Sequence, residues 1–521
     1  MLSSQIKNRT IFILGGIILF YLVNSIWYLQ SQSITSDEGT FLNYAIRFLK
    51  GHPERIHPVS DNSKMPVSII NTIPRIIEQV LNKNLKKTDY GFSDIMMGRY
   101  VTLFVSINII LLVFSWSKQL YGTNSGLFAA FLYSLCPNNL SNASLFTTDS
   151  YSVFMLLLVM YLLWKWCKTK ELKHFILLAI SVAIAQIVKQ SLFHLYLIIP
   201  ITLLVYYFTK TINLKVKQVL IYIFIFAFIN WLIISSVYFF NGINHTLGSY
   251  KFMSNLFQSV QQMLPSQLIV PLPQPFIDGL DMAKYYDQVG GGTKGLSSFG
   301  NVTILSKEST GGSFWYYYFV TLFYKTPIPY FLFLVFMVWL FYKSKIKYQF
   351  FTDEMFLLLP VFYFITILSF FYKTQCGIRH IIFIYPFLFI ISSIIINHLQ
   401  HKWAKLFVTI SSVYLFVSVL FYWGNYYPYT NEFILNKKNA YKYVGAGNLE
   451  FLQGKYFAES YLKKHPEVQY ILNTQTQGRF LINTADYLDI WNLHEYEWIK
   501  KYQPVSHVAF SWLLIDTNNQ K

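Results

Sequence analysis

Charge is what this chain has least of. Only 13% of its 521 residues are Asp, Glu, Lys or Arg, about half the share found in a water-soluble protein, while 54% are hydrophobic and 19% aromatic. Too few polar side chains exist to cover a globule of this size, which excludes an ordinary soluble enzyme and a disordered chain. Cysteine is almost absent. Cys136, Cys167 and Cys376 stand far apart and match neither a metal-binding spacing nor the disulfide framework of a small secreted module. The sequence also lacks internal repeats and low-complexity tracts. Acids are scarce, 24 against 42 Lys and Arg, for a formal net charge of +18. Such an excess suits either nucleic acid or the flanks of membrane segments, and the placement of the charges decides between them.

Long apolar runs are what the chain has in quantity. A hydrocarbon core of ~30 Å takes roughly 20 apolar residues as a helix. Eleven such stretches are legible, near 10–29, 99–116, 123–138, 150–166, 173–189, 192–209, 218–240, 327–342, 354–372, 379–398 and 403–424. The first is too long for a signal peptide and has no small-residue cleavage site after it, so it reads as a retained helix. With the N-terminus cytoplasmic, the inside loops hold fifteen cations: Lys7, Arg9, Lys118, Lys165, Lys168, Lys170, Lys173, Lys210, Lys215, Lys217, Lys343, Lys345, Lys347, Lys402 and Lys405. The short outside turns hold three, Lys189, Lys373 and Arg379. This asymmetry predicts a multi-pass plasma (inner) membrane protein with its C-terminus extracytoplasmic, and no nucleic-acid partner is expected.

Three larger polar segments, 30–98, 241–326 and 425–521, then fall outside. The first carries Phe41, Tyr44, Ala45, Phe48 and Leu49 at helical spacing, then Ile69, Ile70, Ile73, Ile76, Ile77 and Val80, a pattern that predicts interfacial helices. The second is rich in glycine (Gly290, Gly291, Gly292, Gly295, Gly300, Gly311, Gly312) and ends in Phe314, Trp315, Tyr316, Tyr317 and Tyr318. It reads as a long mobile loop pinned by an aromatic belt. Pro327 and Pro329 start the next span, because Lys325 would otherwise sit deep in lipid. The third has β-like runs at 468–473 and 507–515 and a helical pattern near 448–464. The expected fold is an all-α polytopic membrane protein of about eleven transmembrane helices over 1–424, with interfacial helices on its first outer loop, followed by a small extracytoplasmic α/β soluble domain over 425–521.

Chemistry belongs in the outer segments. Ser36-Asp37-Glu38 opens a helix expected over 38–50. In one reading Ser36 is an N-cap and the two acids complement the helix dipole, worth ~0.3–1 kcal/mol. In the other, a carboxylate at the membrane surface acts as general base on a hydroxyl, worth about 10²–10⁴-fold in rate. Thr147-Thr148-Asp149, before the fourth span on the same side, offers the same two readings. Asp61-Asn62-Ser63-Lys64-Met65-Pro66 either places a cation on the first outer loop or is a solvated loop with Pro66 in a first helical turn. Of seven arginines, six (Arg47, Arg55, Arg75, Arg99, Arg379, Arg479) lie in outer segments or at outer span ends, and Arg suits bidentate phosphate contacts. Arg379-His380 stands at a helix start, where a cation gains nothing from the dipole.

The order of these features resembles a known family. After the Asp-Glu pair come Lys64-x-Pro66 some 27 residues on, Gly98-Arg99-Tyr100 opening the second span, and Thr147-Thr148-Asp149 before the fourth. Later come Leu272-Pro273, Phe276-Ile277-Asp278-Gly279, Trp315-Tyr316-Tyr317-Tyr318, Lys325-Thr326-Pro327-Ile328-Pro329, Gly377-Ile378-Arg379-His380 and Tyr385-Pro386. Together they resemble the lipid-carrier-dependent glycosyltransferases of the GT-C type, the group that includes protein O-mannosyltransferases and the lipid A aminoarabinose transferase.

The resemblance implies a polyprenyl-phosphate sugar donor, its tail among membrane lipid in a groove between spans, and a protein, glycan or lipid acceptor. It implies Asp37 as catalytic carboxylate, Glu38 as its support and Asp149 as the second acidic position. Lys64 matches the lysine near the donor phosphate in the aminoarabinose branch, and Arg379, with His380 and Arg99, would fit further phosphate contacts. Two departures stand out. Ser63 replaces a glutamate of that branch, which leaves a divalent metal open, and Gly447-Asn448-Leu449-Glu450 departs from an Asp-Ser-Asn-Leu-Asp-Trp pattern, so the roles of those acids do not transfer. The implied chemistry is a single inverting displacement in which the 241–326 loop closes over the site and excludes water. The competing class is a transporter or lipid flippase, which would place ionisable residues or broken helices near the bilayer midplane in two related halves. Here the charges sit at span ends. A catalytically inactive scaffold is the third reading.

Overall fold

In the computed structural model, which describes residues 2–56, 61–81, 91–209, 215–290, 301–343, 350–400 and 402–518, each of the eleven apolar stretches carries a helix. Lys210, Lys345, Lys347 and residues 291–300 of the glycine-rich run lie outside the described residues. Among the described residues, six helices are long and apolar enough to cross a membrane alone: Asn8–Ser31, Ser93–Tyr121, Asp149–Thr169, Gln190–Phe208, Val216–Val237 and Lys402–Phe421. Tyr317–Lys325 and Ile328–Tyr342 meet at 105°, the geometry of a broken span or a re-entrant loop, and make a seventh if the pair counts as one span. The remaining stretches form shorter apolar helices, Thr123–Ser134, Leu172–Gln186, Met355–Phe370 and Ile382–His398. Eleven is therefore a count of apolar helices, of which six or seven have the reach of a span.

The polarity of the bundle is that of a protein dissolved in lipid. Phe12, Leu19, Leu220, Phe224, Trp403 and Ile410 face outward, while Ser106, Ser117, Thr202 and Ser393 are buried between helices. These four hydroxyls are satisfied internally. Ser117 pairs with Ser393 at 2.8 Å, and Ser106 donates to the Ala143 carbonyl at 2.7 Å. Hydrocarbon offers no partner for such groups, so bundles of this kind bury them at helix contacts.

Two expectations about the outer segments change. Helix Glu38–Leu49 does form, but its apolar face packs on protein rather than lying open to lipid. Phe41 and Leu42 meet Ile95 and Phe146, while Tyr44 and Phe48 meet Tyr238 and Phe276. The second stretch, Ile73–Leu81, keeps Ile73, Ile77 and Val80 exposed, as an interfacial helix would. The 241–326 segment is largely built structure: helices Asn255–Met263, Gln274–Gln288 and Tyr317–Lys325, and a hairpin of Asn301–Ile304 with Lys307–Thr310. Lys325 at the 105° bend is fully buried, and its Nζ donates to the carbonyls of Tyr427 and Asn448. Protein carbonyls thus solvate this cation.

The C-terminal segment holds a four-stranded mixed sheet, in spatial order Val468–Tyr470, Arg479–Asn483, Trp512–Asp516 and Ser506–Val508. The first pair is parallel and the others antiparallel. Phe480, Ile482, Leu513 and Ile515 pack with Tyr441, Val444 and Leu449, while Leu481 and Trp512 pack with Ala458 of helix Lys455–Lys464. Both faces of the central strands are covered. The segment is stitched to the broken helix by the Asn431 side chain, which donates to the carbonyls of Phe323 and Thr326.

Candidate active site

Asp37 sits at the N-cap of helix Glu38–Leu49 but makes no capping hydrogen bond with its side chain. Nor does Ser36 hold the cap. Instead Asp37 Oδ2 meets Arg379 Nη1 at 2.8 Å, across 342 positions of sequence. The helix-cap reading fails in the same way for Asp149, whose Oδ1 takes Lys189 Nζ at 2.6 Å while Oδ2 accepts from Thr147 Oγ1. Lys64 is almost wholly buried. Its Nζ lies 3.9 Å from the centre of the Phe41 ring and donates to Ser63 Oγ, and among the described residues no carboxylate comes within ion-pair distance. A buried ammonium held over a ring, with no carboxylate in direct contact, has the chemistry to receive an anion.

These groups act on one another. Burial would push the Asp37 carboxyl up, but Lys64 and Arg379 outweigh it and hold it at about 2, so Asp37 is ionised at neutral pH. Burial also pulls the Lys64 ammonium below its ordinary value, an effect that Asp37 opposes. His380 precedes the apolar helix Ile382–His398. Burial, with Lys189 and Arg379 nearby, pushes its imidazole down to about 3. His380 is therefore uncharged at neutral pH, and a contact from it to a phosphate would be a neutral hydrogen bond.

Glu38 and Arg99 are brought together, but away from this cluster. Both are fully buried, and the fork is bidentate: Nε to Oε1 at 2.8 Å and Nη2 to Oε2 at 2.6 Å. The other guanidinium donors go to the carbonyls of Leu29, Gln32 and Ser33. Glu38 also accepts from the backbone N–H of Thr35 and Phe146. One ion pair thereby ties the end of the first long helix, the start of the second and the loop before Asp149. Arg99 has no donor left for a phosphate, and its geometry is that of a brace. Gly98 beside it permits this approach, since a Cβ there would lie 2.4 Å from the Phe146 ring.

Lys189 belongs to the cluster although it reads in the sequence as a topology lysine. Its isolation among the outside turns is the signal that marks it. Asn448 and Phe451 also reach the Arg379 turn; they lie in and beside the run Gly447-Asn448-Leu449-Glu450, which the sequence marks only by the acids it lacks. Asp37 and Asp149 each already face a cation, a donor set that does not suit a divalent ion. Among the described residues the one trio of metal-type ligand atoms within 4.8 Å is Asp489, His494 and Glu497 in the C-terminal segment.

Gly377, which carries the Arg379 turn, has φ +87, and a Cβ there would lie 2.3 Å from the Gly447 carbonyl oxygen. Gly377→Ala is expected to destabilise the protein by roughly 1–3 kcal/mol, read as a lowered melting temperature of the purified protein in detergent. A melting temperature equal to wild type would mean that the turn relaxes freely.

Residues 91–236 match the family model described as dolichyl-phosphate-mannose-protein mannosyltransferase. No curated protein matches the chain. The solved structure of ArnT from Cupriavidus metallidurans bound to undecaprenyl phosphate is similar at 10% identity and a TM-score of 0.48, with 96% of this chain and 98% of that chain covered. The match over residues 91–236, which takes in Arg99, Asp149 and Lys189, bears out the resemblance to the GT-C lipid-carrier-dependent glycosyltransferases.

Proposed function

We propose that this chain is a membrane glycosyltransferase that moves a sugar from a polyprenyl-phosphate donor to an acceptor hydroxyl at the extracytoplasmic end of the bundle. The observation that carries the reading is the ionised Asp37 paired with Arg379 beside the buried Lys64, which among the described residues has no carboxylate within ion-pair distance. A base for a hydroxyl and a cradle for a phosphate stand in one cluster. The family match over residues 91–236 supports the donor class.

In the proposed reaction the acceptor oxygen bonds to the anomeric carbon as its proton passes to Asp37. The bond from that carbon to the phosphate oxygen breaks, and its electron pair leaves with polyprenyl phosphate. A single displacement inverts the anomeric centre. Lys64, Lys189 and Arg379 are three cations and Asp37 and Asp149 two anions, so these five side chains together are positive by one charge. A phosphodiester donor neutralises it. After transfer the phosphate holds one further negative charge and Asp37 has lost one, so neutrality survives the reaction. A diphosphate-linked donor would break that balance. Negative charge grows on the leaving oxygen, so prearranged cations stabilise the transition state more than the ground state.

The test supplies the purified protein with a labelled polyprenyl-phosphate sugar and a mixture of hydroxyl acceptors. Wild type is expected to transfer label with inversion, and Lys64→Met to lose about 10²–10³-fold in kcat, the loss typical of one transition-state donor. Label that crosses between leaflets without transfer would instead identify a flippase.

A further inference from the structure

We propose that Asn448 and Phe451, in the C-terminal segment, are positioning residues of the transfer site: they hold the Arg379 turn against Asp37. This inference rests on the glycosyltransferase reading and adds the part that the C-terminal segment plays in it.

The contacts run to both halves of the Asp37–Arg379 pair. Asn448 Oδ1 accepts the Ile378 backbone N–H at 2.8 Å, one residue before Arg379. Asn448 Nδ2 donates to the Val444 carbonyl at 2.7 Å, and the Asn448 carbonyl accepts from Lys325 Nζ at 2.8 Å. The amide is thus anchored at both ends before it touches the turn. Phe451 supplies the floor: its ring centre lies 4.0 Å from the Arg379 guanidinium carbon, and Tyr427 stacks on the ring at 5.9 Å and 13°. The Phe451 carbonyl accepts the Ser36 N–H at 3.1 Å, next to Asp37. Two more bonds close the clasp. Ser33 N–H donates to the Gln453 carbonyl, and Lys455 N–H donates to Ser33 Oγ.

Arg379 Nε has no hydrogen-bond partner among the described residues. One Nη meets Asp37, and the aromatic face restrains the plane of the fork. A guanidinium on a ring keeps its plane while its edge stays free for an anion. Loss of the ring leaves the fork free to rotate. The C-terminal segment therefore completes the site instead of standing beside it.

The experiment is a double-mutant cycle on the full-length protein. Phe451→Leu is expected to lower kcat about tenfold and to raise KM for the lipid donor, and Phe451→Tyr, which keeps the ring face, to recover most of the loss. In an Arg379→Ala background, Phe451→Leu is expected to cost little more, because the group it positions is gone. Losses that multiply, or a Phe451→Tyr variant as poor as Phe451→Leu, overturn the inference. Affinity for undecaprenyl phosphate, measured on the same four proteins, separates the two readings. A wild type that binds this lipid but transfers no sugar refutes the glycosyltransferase reading, while Phe451–Arg379 coupling in affinity still supports the positioning role. Equal affinity in wild type and Phe451→Leu refutes that role. A wild type that neither binds nor transfers overturns both.

Discussion

Asp37→Asn is expected to reduce sugar transfer by about 10²–10⁴-fold, the usual worth of a positioned general base, while the protein still binds its lipid donor. Asparagine keeps the shape of the side chain and can still accept from Arg379, so the turn keeps its place. What disappears is the proton acceptor and one negative charge. That charge competes with the donor phosphate for Lys64 and Arg379, so KM for the donor is expected to stay level or fall. The pH dependence follows from the same pairing. With its carboxyl held at about 2, below the ordinary ~3.9, Asp37 contributes stability that is fully present above about pH 4 and lost as pH falls through about 2. A base so weak serves poorly until the phosphate engages the two cations and loosens their hold. The acid limb of kcat, which reports the loaded enzyme, is therefore expected at higher pH than that of kcat/KM, which reports the free one. Coincident limbs would mean that the donor leaves Asp37 and Arg379 paired. Full transfer by Asp37→Asn would remove Asp37 from the base role.

The apolar helices are legible in the chain because lipid exposure is a local, compositional property. Twenty apolar residues in a row announce themselves whatever they pack against. The bend after Lys325 is half legible: Pro327 and Pro329 mark a start, but the carbonyls that receive the Lys325 ammonium at the 105° bend belong to the C-terminal segment, more than 100 positions away. Strand Arg479–Asn483 escapes the pattern because both its faces are covered, so no alternation appears. The 241–326 segment looks loose for a related reason. Its glycine runs suggest a mobile loop, yet Asp281 accepts from the backbone N–H of Met253 and Ser254 and pins helix Gln274–Gln288 to the start of helix Asn255–Met263. Among the site residues, Asp37, Lys64, Asp149 and Arg379 are visible as isolated charges where charge is rare. Lys189 is hidden by the topology count, which treats every lysine alike. Asn448 and Phe451 carry no charge and act only through the fold; the run Gly447-Asn448-Leu449-Glu450 draws attention for the acids it lacks, and the asparagine it keeps and the ring that follows pass unnoticed.

Arg99→Met is expected to give the largest loss of stability of any single change around the site, on the order of 3–5 kcal/mol, because breaking a buried ion pair strands a charge. Glu38 would keep only the N–H groups of Thr35 and Phe146, and the carbonyls of Leu29, Gln32 and Ser33 would lose their donors. Glu38→Ala fails from the other side, leaving the guanidinium inside with carbonyls alone. The magnitude decides between two accounts of Glu38. A carboxylate that merely complements a helix dipole is worth ~0.3–1 kcal/mol, whereas half of a bidentate pair with no solvent exposure is worth several times that. Thermal unfolding of the purified protein in detergent reads the difference. The double variant Glu38→Leu with Arg99→Met provides the control: it strands no charge, so its loss is expected to fall well short of the sum of the two single losses. The transfer assay, run below the melting point of each variant, then asks whether the brace acts on chemistry. The pair ties Leu29–Ser33, Arg99 and Phe146 together one residue from Asp37, so a weakened brace is expected to lower kcat through Asp37 placement and to leave donor affinity at Lys64 nearly unchanged. A stability loss within about 1 kcal/mol for Glu38→Ala would return Glu38 to the helix-dipole account and leave Asp37 to be held by Arg379 and the Phe451 clasp alone.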